Sequence, residues 1–386
     1  MTVLFRLRTA MINCPSVCGW MVLLVGCVGL LGSSTVQAQA PALERDSERM
    51  AELVVAPVYQ HVDDGTTQLD AWSSRIQLTV PLLARTVVQS SIQYGLSTGE
   101  ALSTVQGFTD LQLRVQHTAL VRQGRLVVGV DANVPTGTEA LTARELRTTI
   151  QTSQRPYGFQ VPTFGQGWSV APVVTWAVPA TQNLALGVGL SGRYQGGYRP
   201  LASSTADYVP GHEVELRLGG DYRIGADATV ALDGTATYIA PDTEGGQTRF
   251  EAKYTTSVRV QYLWQRRSQA IRLQARYESW PESRYRPVLL TEENVGTGAP
   301  VTQQVLPSIW QSAAGYTQSL VGPLGLGLRG GVSHYTATNR FDAQTVGRLQ
   351  VAPRLQWDDT TLTVYTAYTG GSFTGFEAGL RTAIQF

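Results

Sequence analysis

The segment Phe376-Glu377-Ala378-Gly379-Leu380-Arg381-Thr382-Ala383-Ile384-Gln385-Phe386 decides the fold. Phe376, Ala378, Leu380, Thr382, Ile384 and Phe386 fall on one side of a period-two alternation, and Glu377, Gly379, Arg381, Ala383 and Gln385 on the other. Successive side chains of a strand point to opposite faces, so this segment has one largely apolar and one more polar surface. The rhythm recurs upstream. Val214, Leu216, Leu218, Gly220 and Tyr222 alternate with Glu213, Glu215, Arg217, Gly219 and Asp221. Ile271, Leu273, Ala275 and Tyr277 alternate with Arg272, Gln274, Arg276 and Glu278. The longest run reads as one strand from Phe250 to Trp264, with Glu251, Lys253, Thr255, Ser257, Arg259 and Gln261 on its polar face.

Such runs exceed the usual length of soluble strands, roughly 5–6 residues, and suit strands tilted across a bilayer. The competing architecture is a soluble β-sandwich with one wet face per sheet. Against it, Trp72, Trp168, Trp176, Tyr222, Tyr262, Trp264, Trp310, Trp357 and Phe386 gather at the ends of apolar faces, as interfacial girdles require. Charged residues make up 15% of the chain, against about 25% in an average soluble protein. Yet past the first residues no apolar stretch approaches the roughly 20 residues of a membrane helix. Low charge without apolar runs implies lipid outside and water inside. The expected fold is an all-β, transmembrane, antiparallel up-and-down β-barrel in the lipid of a bacterial outer membrane.

Turn chemistry sets the strand number. Short polar or Gly/Pro-containing connections fall near 81–85, 122–124, 179–183, 225–227, 265–268, 321–323 and 358–360. Between them lie mostly longer ones at 61–69, 98–107, 135–165, 195–210, 241–247, 281–303, 338–342 and 369–374. This alternation gives 16 strands, or 14 if one weak hairpin merges, with short turns periplasmic and longer loops outside. The oligomeric state, monomer or trimer, stays open.

The first residues read as an export signal. Arg6 and Arg8 precede the apolar run Trp20 to Leu31, and Val36-Gln37-Ala38 fits a small-x-small cleavage site. Residues 1–38 are thus expected to be removed, leaving a barrel over 39–386. Leu24-Val25-Gly26-Cys27 is a lipoprotein-like alternative, and both routes lead out of the cytoplasm. The three cysteines, Cys14, Cys18 and Cys27, lie in this region, which excludes disulfide and thiolate-metal frameworks from the cleaved chain. The four histidines, His61, His117, His212 and His334, lack metal-ligand spacing, so neither metal nor cofactor is expected. A net charge of +1 gives no reason to expect nucleic-acid binding.

Phasing the strands turns Arg75, Arg114, Glu215, Arg217, Arg259, Arg272, Arg276, Arg348 and Arg381 toward the lumen as pore-lining candidates. Charges there must be paired or wetted, so two interiors are possible. A salt-bridge lattice would close the barrel, whereas a hydrated arginine ladder would favour anionic or polar solutes. The long connection 135–165 contains Thr138 to Thr149, TEALTARELRTT, which suits a short helix better than a strand. Folded inward, it would form a constriction. Glu139, Arg144, Glu145 and Arg147 are the candidates to pair with wall charges, and a mobile outer loop is the plainer reading.

Gly107-Phe108-Thr109-Asp110-Leu111-Gln112-Leu113, followed after a turn by Leu126 to Gly137 (LVVGVDANVPTG), resembles the outer-membrane proteins associated with the meta-pathway of phenol degradation. Those carry a Gly-x-Gly-Asp-like strand start and a strand closing on Leu-Pro-Thr-Gly, from which this chain departs at Phe108 and Val134. The resemblance implies a channel or uptake role without fixing a substrate, and uptake of small hydrophobic or aromatic compounds is the family-based variant. Phe386 after Leu380, Thr382 and Ile384 resembles the signature read by outer-membrane assembly machinery. His334-Tyr335-Thr336-Ala337-Thr338-Asn339 loosely resembles the His-x-Ser-Asn stretch of outer-membrane lipid hydrolases, but lacks the serine, so no catalytic residue is assigned. The leading expectation is passive passage of small solutes. A closed structural or adhesive barrel is the second class, and a lipid hydrolase the third.

Overall fold

The computed structural model describes residues 50–386 apart from 101, 162, 286–287, 291–294, 298 and 340–341. The export segment expected over 1–38 lies outside them. Sixteen antiparallel strands close into one barrel. They are β1 (Glu52–Asp63), β2 (Gln68–Leu83), β3 (Thr86–Gly99), β4 (Leu111–Val121), β5 (Gly124–Val134), β6 (Ser169–Pro179), β7 (Leu184–Gln195) and β8 (Glu213–Ile224). The circuit continues through β9 (Ala228–Ile239), β10 (Lys253–Arg266), β11 (Gln269–Ser279), β12 (Ile309–Ser319), β13 (Leu324–Tyr335), β14 (Gln344–Trp357), β15 (Thr360–Gly371) and β16 (Thr374–Gln385). β1 then pairs with β16, Leu53 opposite Ile384 and Tyr59 opposite Ala378, which removes both sheet edges.

The short turns share one end of the barrel, and the other connections share the opposite end. Several of them are closed by left-handed residues (Arg122, Gly225, Arg267, Gly322 and Asp358), the conformation that matches hairpin twist. Outside, same-face rows run from strand to strand: Tyr222, Val230, Tyr262 and Leu273 are successive partners, as are Leu232, Val260 and Ala275. Leu218, Leu232, Val260, Leu273 and Leu349 are exposed on this surface. At the long-loop end, Tyr59 packs on Trp72 and Tyr277 on Trp310, with ring centroids 4.8 and 4.2 Å apart. A continuous apolar band rimmed by aromatic rings is a lipid-facing surface, and the barrel is an outer-membrane one.

Two stretches differ from the reading of the sequence. The run from Phe250 to Trp264 is not one strand. Gln247–Glu251 belongs to a separate sheet, and β10 starts only at Lys253, whose φ of 67° turns the chain. Phe250 and Ala252 are therefore buried beneath outer loops rather than facing lipid. Those loops also hold more order than their polar composition suggested. Tyr208–Val209, Asp242–Glu244, Gln247–Glu251, Ser283–Tyr285 and Val301–Gln303 form a five-stranded sheet over the mouth. None of the described helices is long and apolar enough to cross a membrane.

The two faces differ in what they tolerate. Arg in place of Leu273 or Val260 should cost about 2–4 kcal/mol near the midplane. Leu in place of Arg272 on the inner face should escape that penalty and shift ion selectivity instead, while at Arg276 and Arg348 it should also loosen the interior, because Glu278 and Glu377 each lose a partner. Denaturant-dependent refolding into lipid vesicles measures the first effect, and reversal potentials the second. Equal tolerance at both sets would contradict the facing.

Candidate functional site

Residues 135–168 join β5 to β6 and fold into the barrel mouth. Thr142 and Glu145 start a helix, α1 (Ala143–Thr152), with a reciprocal capping box: Glu145 N donates to Thr142 Oγ1 at 3.3 Å, and Thr142 N to Glu145 Oε2 at 2.8 Å. Leu146 and Ile150, one turn apart, bury the helix against Val105, Val161, Phe164, Tyr198 and Leu201. Thr148 Oγ1 donates to Ser103 O at 2.6 Å, tying α1 to the connection after β3.

Beyond α1 the chain reaches far walls. Arg155 meets Glu278 of β11 at 2.7 Å, both side chains under 10% exposed, and its guanidinium lies 4.7 Å from the Trp280 ring centre. Glu278 also accepts from Arg276 at 2.7 Å and from the Trp280 indole. Tyr157 donates to Asp64 and stands edge-on to Phe373 at 5.2 Å. Gln60 of β1 donates to Gly158 O at 3.1 Å and accepts from Gln160 N at 2.7 Å. Tyr157 and Phe159 share one buried cluster with Val62, Leu69, Ile309, Tyr335 and Val346, contributed by β1, β2, β12, β13 and β14. The segment is a strap spanning the mouth.

The four strap charges singled out from sequence are placed otherwise than the wall contacts. Glu145 serves its own helix cap. Glu139 is half-buried, and burial followed by the Asp110 charge pushes its carboxyl above the usual range. Arg144 is exposed, and neither it nor Arg147 forms an ion pair among the described residues. The anchoring falls to Arg155, Tyr157, Phe159 and Gln160. The aromatic and turn-rich stretch after α1, Arg155 to Gly167, is the signal that could have marked them.

The lumen wall carries both paired and unpaired arginines. From β4 to β10, Arg114, Arg217 and Arg259 have acidic neighbours, whereas Arg125 and Arg223 form no ion pair among the described residues. Arg114 forks onto Asp131 at 2.6 and 2.7 Å, Arg217 contacts Glu215, and Arg259 meets Asp233 at 2.7 Å. On the other arc Arg276 holds Glu278, Arg348 holds Glu377 at 2.9 Å, and Arg381 stands 4.0 Å from Glu52. Arg75, Arg272 and Arg329 have no carboxylate within ion-pair distance among the described residues. Arg272 and Arg329 share one height, since both oppose Gly315 of the strand between them. Cations held this way need water or a passing anion as counterpart.

Over the mouth, Asp242 is fully buried, accepting from the Tyr208 hydroxyl and, at 2.6 Å, from Gly211 N. Burial pushes its carboxyl up to about 7, against the lowering effect of those two donors and with the Glu213 charge adding to the rise. A folded pKa above the unfolded one means that folding takes up a proton, so Asp242's contribution is full below about pH 4 and declines as pH rises to about 7. Hydrogen exchange in 206–212 and 240–246, corrected for intrinsic rate, should therefore quicken between pH 5 and pH 8. Asp242→Asn should flatten that dependence, and an unchanged slope would contradict it.

His334 faces outward and shares a hydrogen with Thr345 Oγ1 at 2.8 Å, while Thr336 Oγ1 accepts from Ser308 N at 2.9 Å. The two are engaged separately rather than as a nucleophile–base pair. No group of three or more His, Cys, Asp or Glu among the described residues is placed to hold a metal.

No family model matches the chain, and no curated protein matches it by sequence. Its form is similar to that of an outer membrane channel from Pseudomonas putida F1, at 13% identity and a TM-score of 0.42, covering 90% of this chain and 98% of that one. OprD from Pseudomonas aeruginosa shows 10% identity and a TM-score of 0.43 over 91% and 98% of the two chains. The monoaromatic hydrocarbon channel CymD shows 10% and 0.43 over 88% and 89%.

Proposed function

We propose that this barrel passes small solutes passively across the outer membrane, and polar or anionic ones ahead of cations. The observation that carries the reading is the arc of lumen arginines, Arg75, Arg272 and Arg329, left without carboxylate partners beneath a strap that narrows the mouth. A lattice built to close the lumen would pair its charges, because an unpaired buried ion costs several kcal/mol. Sixteen strands also enclose more space than wall side chains fill. Arg114, Glu215, Arg217, Arg259, Arg276, Arg348 and Arg381 line the same passage.

Purified protein in planar bilayers should give steady open-channel current, with a reversal potential in a KCl gradient displaced toward chloride. Folded but silent protein would favour a closed structural or adhesive barrel. Liposome uptake of benzoate and of phenol distinguishes an anionic from a neutral aromatic cargo, the latter belonging to the family-based variant. Phospholipid or lipopolysaccharide deacylation by the same preparation would favour a hydrolase. Phe386, whose backbone pairs with Ala51 at 2.8 and 2.9 Å, is proposed to engage the assembly machinery. Its deletion should lower the heat-modifiable fraction and leave export intact, and normal assembly of the truncated chain would refute that role.

A further inference from the structure

We infer that Asp110 is the positioning residue of the strap, a clasp that gathers both of its roots and thereby fixes how far it reaches across the lumen. Asp110 interrupts the barrel wall. The outer half of β3 pairs with Val105–Phe108 and its inner half with β4, and Thr109 and Asp110 fall in the break between those partners. Its carboxylate is turned inward and 3% exposed. Oδ1 accepts from Gly137 N at 2.8 Å, at the strap's departure from β5. Oδ2 accepts from Gln166 N at 2.7 Å, at its return to β6, and from Asn133 Nδ2 at 2.8 Å. Asn133 Nδ2 also reaches Gly167 O at 2.6 Å, so one amide bridges the clasp and the returning chain.

Gly137, Gln166 and Asn133 offer this buried carboxylate neutral donors, two of them backbone amides from opposite ends of one loop. Hydrogen bonds to an ionised acceptor are shorter and stronger than neutral ones. They make a firm junction at a place where neither root belongs to a ladder. The backbone around it is shaped to fit. Gly165 N donates to Thr138 O at 2.8 Å, and Thr138 N to Phe108 O at 3.0 Å. A Cβ on Gly137 would lie 2.7 Å from Asp110 Oδ1 and 2.9 Å from Gly165 Cα, and one on Gly107 would lie 2.0 Å from Thr138 Oγ1. Glycine at 107 and 137 is what lets the two roots meet on the carboxylate.

This deepens the channel reading, and rests on it only for the effect on current. Asp110→Asn keeps the shape but sets an amide N–H against donors. Asn133→Ala removes the bridging amide and leaves Asp110 in place. Folded wild-type protein in detergent should resist trypsin after Arg147, because Thr148 is fully buried. Both variants should be cut there several-fold faster with the barrel still heat-modifiable, and should show larger, noisier single-channel current. In a barrel from which residues 140–163 are excised, Asp110→Asn should change the current no further. Wild-type resistance in both variants, or ready cutting of the wild type itself, would overturn the clasp. Asn133→Ala carries the test should Asp110→Asn not assemble. A silent wild-type channel would defeat the channel reading while the protease result still decides the clasp.

Discussion

Excision of residues 140–163, with a short Gly/Ser turn joining the stumps, should raise single-channel conductance several-fold and admit larger solutes. The cut is placed there because Thr138 and Gly165 already share a backbone hydrogen bond, so the bridge need span almost nothing. What is lost is the strap: α1, the Arg155 contact with β11, and the Tyr157 and Phe159 rings that bring β1, β2, β12, β13 and β14 into one cluster. The barrel does not depend on it for closure, which comes from the β1–β16 ladder. Val105, Tyr198, Leu201 and Tyr208 would lose their cover, so the outer loops should loosen while heat-modifiability persists. Unchanged conductance in an open wild-type channel would make the strap irrelevant to permeation.

Glu278→Ala should release the strap without shortening it. The substitution leaves Arg155 buried without its carboxylate and takes an acceptor from Arg276 and from the Trp280 indole. Breaking one side of a buried ion pair typically costs about 3–5 kcal/mol, mostly through the stranded charge. The strap is the movable partner, so amides of 154–160 should exchange far faster while those of β10 to β12 stay protected. Replacing both partners, Arg155→Met with Glu278→Leu, removes the stranded charge and should recover much of the protection. If the double variant is as loose as the single one, the ion pair is not what holds the tip.

The wall was legible in the sequence because its determinants are local. Alternation gives the face, and the residues around 122–123, 225–227 and 358–359 give the reversals, so the register that sets Arg114 opposite Asp131 follows from one turn and a count. A short helix was legible in 138–149 for the same reason, but it starts later, capped by Thr142, and runs on to Thr152. The anchoring of the strap was not. Gln60 lies 98 residues from Gly158, and Arg155 lies 123 from Glu278, separations over which no pattern of spacing carries information. The break before β10 escaped for a subtler reason. Phe250, Ala252 and Tyr254 keep parity across it, and only the left-handed backbone at Lys253 reveals the turn.

The ladder between β1 and β16 also governs how such a wall can come into being. Until those two strands meet, the sheet presents two rims of bare amides and carbonyls to hydrocarbon, each unsatisfied group costing several kcal/mol. Against this, bringing distant chain segments together is inexpensive, about 0.6 kcal/mol more for every doubling of the intervening length. The balance lies wholly with the zipped ring, so a half-inserted sheet has no resting place in lipid. Assembly should run as a single cooperative event, with the seam, from Glu52 opposite Gln385 to Asp63 opposite Thr374, the last place to form.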